Sequence, residues 1–120
     1  MKVLIPMLCK AENRREFWER ATKGAQSIIL MLVIDPSAVN RFGFATSEIA
    51  HGNALMEEIK GNLGGKEVDT VLEWGETAKK VENLAKLQRV DKVVLMKQDS
   101  IALRKLVKKL QEAKIVVEVV

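Results

Sequence analysis

The chain has 120 residues, 48% apolar and 30% charged, with a formal charge of +4. That composition is globular, and the length suits one domain over residues 1–120, large enough to bury a core without disulfides or metal. A single cysteine, Cys9, excludes an intrachain disulfide framework; with no signal-peptide pattern at the start, a soluble, cytoplasmic protein is expected. The longest unbroken apolar run, residues 28–34, is seven residues long. A membrane helix needs about 20, so no span and no membrane partner are expected.

The first element, residues 2–8, is apolar after Lys2 and reads as a buried strand. Residues 12–24 are densely charged, with Phe17, Ala21 and Ala25 four apart, the pattern of a helix with one apolar stripe that ends near Gly24. Residues 27–34 are continuously apolar after Ser27 and closed by Asp35-Pro36, which predicts a strand buried on both faces. A loop over residues 36–45 carries Phe42-Gly43-Phe44. These exposed aromatics mark either a partner contact or a loop folded onto the nearby helices.

Ile49, Met56, Ile59 and Leu63 then recur at helical spacing, with Thr46 or Ser47 as candidate N-cap and Gly61, Gly64 and Gly65 at the end. Residues 67–74 alternate, with Val68, Thr70, Leu72 and Trp74 on one face and Asp69, Val71 and Glu73 on the other. Gly75 opens a helix with Ala78, Val81, Leu84, Ala85 and Leu87 inward. A fourth strand covers residues 91–96. Ser100 caps a last helix with Leu103, Leu106, Val107 and Leu110 inward, and a fifth strand covers residues 115–120. Strands alternating with helices imply a parallel sheet covered on both faces, a three-layer αβα sandwich with right-handed crossovers.

Two strand orders are common for such a sheet. The order 2-1-3-4-5 makes the third strand central, whereas 3-2-1-4-5 makes it an edge. Burying an unpaired carboxylate costs several kcal/mol, roughly, or forces protonation. The third strand carries Asp69 and Glu73, and the second has no charge over residues 28–34, so order 3-2-1-4-5 is expected. The fifth strand is an edge in either case. Ile115, Val116, Val117 and Val119 are guarded only by Glu118. An exposed apolar edge invites pairing with another chain, which predicts a homodimer seamed there; the alternative is a strand covered by its own fourth helix.

The motifs now in hand resemble the universal stress protein family. Residues 2–8, with Pro6 interrupting the ladder donors of a strand, match the family's first strand. Gly75, Val81, Ala85 and Asp91 fit its spacing from the third strand to the fourth. The resemblance covers nearly the whole chain and implies the five-stranded parallel sheet of order 3-2-1-4-5, in the adenine nucleotide alpha hydrolase-like class. The chain departs from the nucleotide-binding members of the family. Leu8 stands where they place a nucleoside-contacting Asp, and no glycine occurs after Gly75, so the G-x-x-G segment whose amides cradle phosphates is missing. Against that family pattern, no ATP cofactor is expected.

In this order the connections reverse between the first and fourth strands, where open sheets bind ligands. The residues arriving there include Cys9, Lys10, Lys97, Gln98 and Ser100. Lys10 and Lys97 would neutralise an anion beside a helix N-terminus; alternatively, Asp99 and Ser100 only cap the helix and the lysines are solvated. Cys9 is either a thiol activated by Lys10 or a packed, inert side chain. His51 has no ligand-spaced partner, and no metal site, catalytic group or nucleotide fingerprint is found. Residues 100–114 hold five basic residues and one acid, so the other 15 basic and 15 acidic residues cancel. That helix either binds polyanions or presents a solvated face. It lacks the aromatic stacking that nucleic-acid recognition adds, so nucleic acid is not expected as a partner, and a protein partner remains open.

Overall fold

Each apolar run becomes a strand, and each amphipathic segment becomes the crossover that carries the chain back to the start of the next. The computed structural model describes residues 1–8, 14–35 and 46–120. The strands are β1 (Lys2–Met7), β2 (Ser27–Ile34), β3 (Glu67–Trp74), β4 (Lys92–Leu95) and β5 (Val117–Val119), and the helices are α1 (Arg15–Ala21), α2 (Ile49–Asn62), α3 (Thr77–Leu87) and α4 (Ile101–Glu112). All neighbouring strands pair in parallel, in the order β3-β2-β1-β4-β5. The expected sheet is therefore the observed one, with the carboxylate-bearing β3 at an edge. Asp69 and Trp74 are exposed on β3, whereas β2 is buried from Ile28 to Ile34.

The sheet separates two cores. On one side α1 and α2 pack Phe17, Trp18, Leu55, Met56 and Ile59 against Val3, Ile5, Ile28, Leu30 and Leu32. On the other, α3 and α4 pack Val81, Leu84, Leu103, Leu106 and Leu110 against Leu4, Ile29, Met31, Val93 and Leu95. Successive residues of β1 and β2 serve opposite cores, the two-residue period of a strand buried on both faces. Helix α2 lies very close to the sheet. A Cβ built on Gly52 would fall 2.5 Å from Leu32 Cδ2, so only a hydrogen at that position admits this approach.

Several local expectations are corrected. Helix α1 is shorter than residues 12–24 among the described residues, and it buries Trp18 besides the Phe17 stripe. The N-cap position of α2 is Glu48, not Thr46 or Ser47, because residues 46–48 form a 3-10 turn; Glu48 makes no side-chain cap bond. Leu87 is not inward but 76% exposed at the end of α3, because helical periodicity carries it off the stripe of Val81, Leu84 and Ala85. Strand β5 pairs over three residues, not six. Ile115, bonded through its N–H to the Leu110 carbonyl, packs into the α3–α4 core before the strand begins.

Candidate functional site

Proline at position 6 shapes the carboxyl end of the sheet. The Asp91 N–H donates to the Lys2 carbonyl, so the even residues of β1 direct their main-chain groups toward β4, while the Met1 carbonyl accepts from the β2 side. Pro6 therefore lacks its N–H on the β4 side. The β1–β4 ladder holds the pairs Val3↔Lys92 and Leu4↔Val93, whereas β1 remains paired with β2 as far as Met7↔Leu32. Beyond Leu4, β4 leans instead on the chain's last residue: the Val120 N–H donates to the Leu95 carbonyl and the Lys97 N–H to the Val120 carbonyl. The strands thus part at the point where the connections reverse.

Around this crevice the candidate residues divide. Leu8 is fully buried. Cys9, Lys10 and the Phe42-Gly43-Phe44 loop lie outside the described residues. Lys97 is exposed. Ser100 is the N-cap of α4, its Oγ accepting from the Leu103 N–H at 3.3 Å. Asp99 does not cap; it is solvent-exposed and meets Arg104 at 3.5 Å. The remaining candidate, Gln98, is half-buried, and its Nε2 is buried without a hydrogen-bond partner among the described residues. A buried amide donor left unpaired costs about 1–3 kcal/mol, so Gln98 is where a ligand oxygen would be most rewarded. Among the described residues no group of three or more His, Cys, Asp or Glu is placed to hold a metal, and His51 is exposed on α2.

The sequence reading missed a second polar feature at the same end of the sheet. Asp35, just past β2, is buried, and its Oδ2 accepts from both the Thr77 N–H and the Thr77 hydroxyl at 3.0 Å. It thereby satisfies an orphan donor at the N-terminus of α3 and places negative charge against the positive end of that helix. Gly75, at φ +141°, makes the sharp exit from β3 that aims α3 at this carboxylate. The available signal was a carboxylate directly after a fully apolar strand, which needs a partner if the strand end is buried.

No model of a protein family matches the chain, and no curated protein does. Solved structures do. A universal stress protein, UspA, from Lactobacillus plantarum superposes with a TM-score of 0.70 at 15% identity, over 100% of this chain and 97% of that one. A universal stress protein in complex with cAMP gives 0.71 at 14% identity, over 100% and 95%. The chain has the fold of the universal stress proteins.

Proposed function

We propose that the chain works as a universal-stress-protein-like homodimer, one domain over residues 1–120, that serves as a cytoplasmic stress-response or signalling module and does not hold ATP through a glycine loop. The passage from β4 to α4 carries this reading. Only residues 96–100 join the two elements, none is a glycine, and the last is already the helix cap. A phosphate cradle needs several consecutive amides free to turn inward, and this passage leaves no length for one. Calorimetry with ATP and magnesium should show no binding at sub-millimolar concentrations. Sub-millimolar affinity lost on substituting Gln98 would overturn the claim.

The dimer rests on β5. Val116 and Val120 direct their main-chain groups to β4, so alternation turns those of Val117 and Val119 outward along the open edge. Val116 and Val119 are exposed beside them, whereas Glu118, the one guard, is held by Lys92 at the strand's inner neighbour. Sedimentation at micromolar concentration should give a dimer that Val119→Lys dissociates; a monomer in the unaltered chain would defeat the reading.

A second reading, a small-molecule or anion binder at the carboxyl end of β4, is favoured by the unpaired Gln98 amide just past that strand. One structural neighbour is a complex with cAMP, which makes cAMP and inorganic phosphate the first ligands to titrate. Chemical-shift changes confined to Gln98 and its neighbours support this reading; unchanged spectra at millimolar ligand dismiss it.

A further inference from the structure

The two helical layers carry very different charge. Residues 76–91 and 99–114, which contain α3 and α4, hold nine basic against five acidic residues. That difference equals the formal charge of the whole chain. The excess also points outward. On α3, Lys79 and Lys86 are exposed at positions i and i+7, and on α4 Ile101, Lys105 and Lys108 are exposed at i, i+4 and i+7, with Arg104 beside them. These positions lie opposite Val81, Leu84, Leu103, Leu106 and Leu110, which fill the core.

Some of these charges are already spoken for, others are not. Lys86 is 3.8 Å from Glu82, Arg104 is 3.5 Å from Asp99, and Lys109 is 3.8 Å from Glu76. Lys79, Lys105 and Lys108 make no ion pair among the described residues. Two large apolar side chains rise from the same layer at opposite ends, Leu87 in the last turn of α3 at 76% exposed and Ile101 in the first turn of α4 at 65% exposed.

We propose that the outer face of α3 and α4 docks on an anionic lipid surface. No helix among the described residues is long and apolar enough to cross a bilayer, but a peripheral contact requires only unpaired cations and a few apolar side chains at headgroup depth. The face supplies both. Charge complementarity alone would equally suit a nucleic acid. The phosphate backbone, however, offers nothing to Leu87 and Ile101, and the face presents no aromatic platform for bases. The expectation of no membrane partner concerned a span; a peripheral contact goes beyond it. The inference does not depend on the dimer: if β5 pairs antiparallel about a two-fold axis, both copies of the face lie on one side of the joined sheet, which strengthens docking without creating it.

Co-sedimentation with phosphatidylcholine vesicles, with and without phosphatidylserine, tests this. The full chain should be retained only on the phosphatidylserine vesicles, and released at high salt. Lys105→Ser and Lys108→Ser should each weaken partitioning about fivefold, the effect of one cation at a charged surface. Ile101→Ser should weaken it further at unchanged net charge. Retention on neutral vesicles alike, or none on anionic ones, would overturn the proposal. So would a result in which duplex DNA is bound with the same lysine dependence while Ile101→Ser changes nothing. Circular dichroism on each variant separates lost docking from lost fold.

Discussion

The α1–α2 layer and the α3–α4 layer cover the same sheet by different means. The first is held by close approach and by ties between loops. Gly52 lets α2 settle onto Leu32, and the Lys66 ammonium, ahead of β3, donates to the carbonyls of Thr22 at 3.1 Å and Ala25 at 2.7 Å, closing the end of α1. The second layer, with a buried apolar stripe like the first, adds capped helix starts: Asp35 on Thr77, and Ser100 on Leu103. A helix fixed by backbone proximity tolerates little change at its contact. A helix fixed by its inner stripe and its cap leaves its outer face unconstrained, and that is the face on which the excess charge collects.

The strongest way to break this comparison is to enlarge Gly52. Gly52→Val places two methyl groups where even a Cβ is too close to the fully buried Leu32. Overpacking of this kind costs about 3 kcal/mol, measurable as a lowered urea midpoint. Combining it with Leu32→Ala should cost less than the sum of the two separate losses, because the second change vacates the space the first requires. Strict additivity would mean that α2 is not seated through this contact.

Next in size is Asp35. Asp35→Ala removes the acceptor of a buried N–H and a buried hydroxyl and should cost about 2 kcal/mol, from the lost cap and the stranded donors together. Asp35→Asn keeps an acceptor oxygen and should recover about half of that. Equal losses for the two variants would show that the negative charge against the helix end, and not the hydrogen bonds, carries the effect.

These two residues also mark where the sequence was hard to read. The strand order was legible because Asp69 and Glu73 cannot sit in the middle of a sheet, whereas the run from Ile28 to Ile34 can. The Ser100 cap was legible because its partner is three residues away. The importance of Gly52 was not, since a glycine within a helical pattern has the same sequence signature whether it faces solvent or the side chain of Leu32, twenty residues earlier. Asp35 and Thr77 are 42 positions apart, and the bond exists only once β2 and α3 are assembled. At the crevice, the sequence brought Lys97, Gln98 and Ser100 together as candidates. Their separation into a solvated lysine, an unpaired amide and a helix cap depends on how β4 bends toward Val120, which no local pattern encodes.

Ser100→Ala sharpens the comparison further. It leaves the Leu103 N–H without its acceptor and should cost about 1 kcal/mol. The loss should fall mainly on α4, read as faster amide exchange in its first turn, while α2 stays protected. The smallest effect belongs to the outer face itself. Lys105→Ser with Lys108→Ser removes two exposed side chains that make no ion pair among the described residues, and each should shift stability by no more than about 0.5 kcal/mol. If like charges on that face repel one another, the shift is a slight gain that vanishes with added salt. A neutral or positive shift, with core packing intact, means that the layer's inner and outer faces are energetically separate. A loss above about 1 kcal/mol would mean that the lysine stems pack on the layer, and that the face is part of what holds α4 in place.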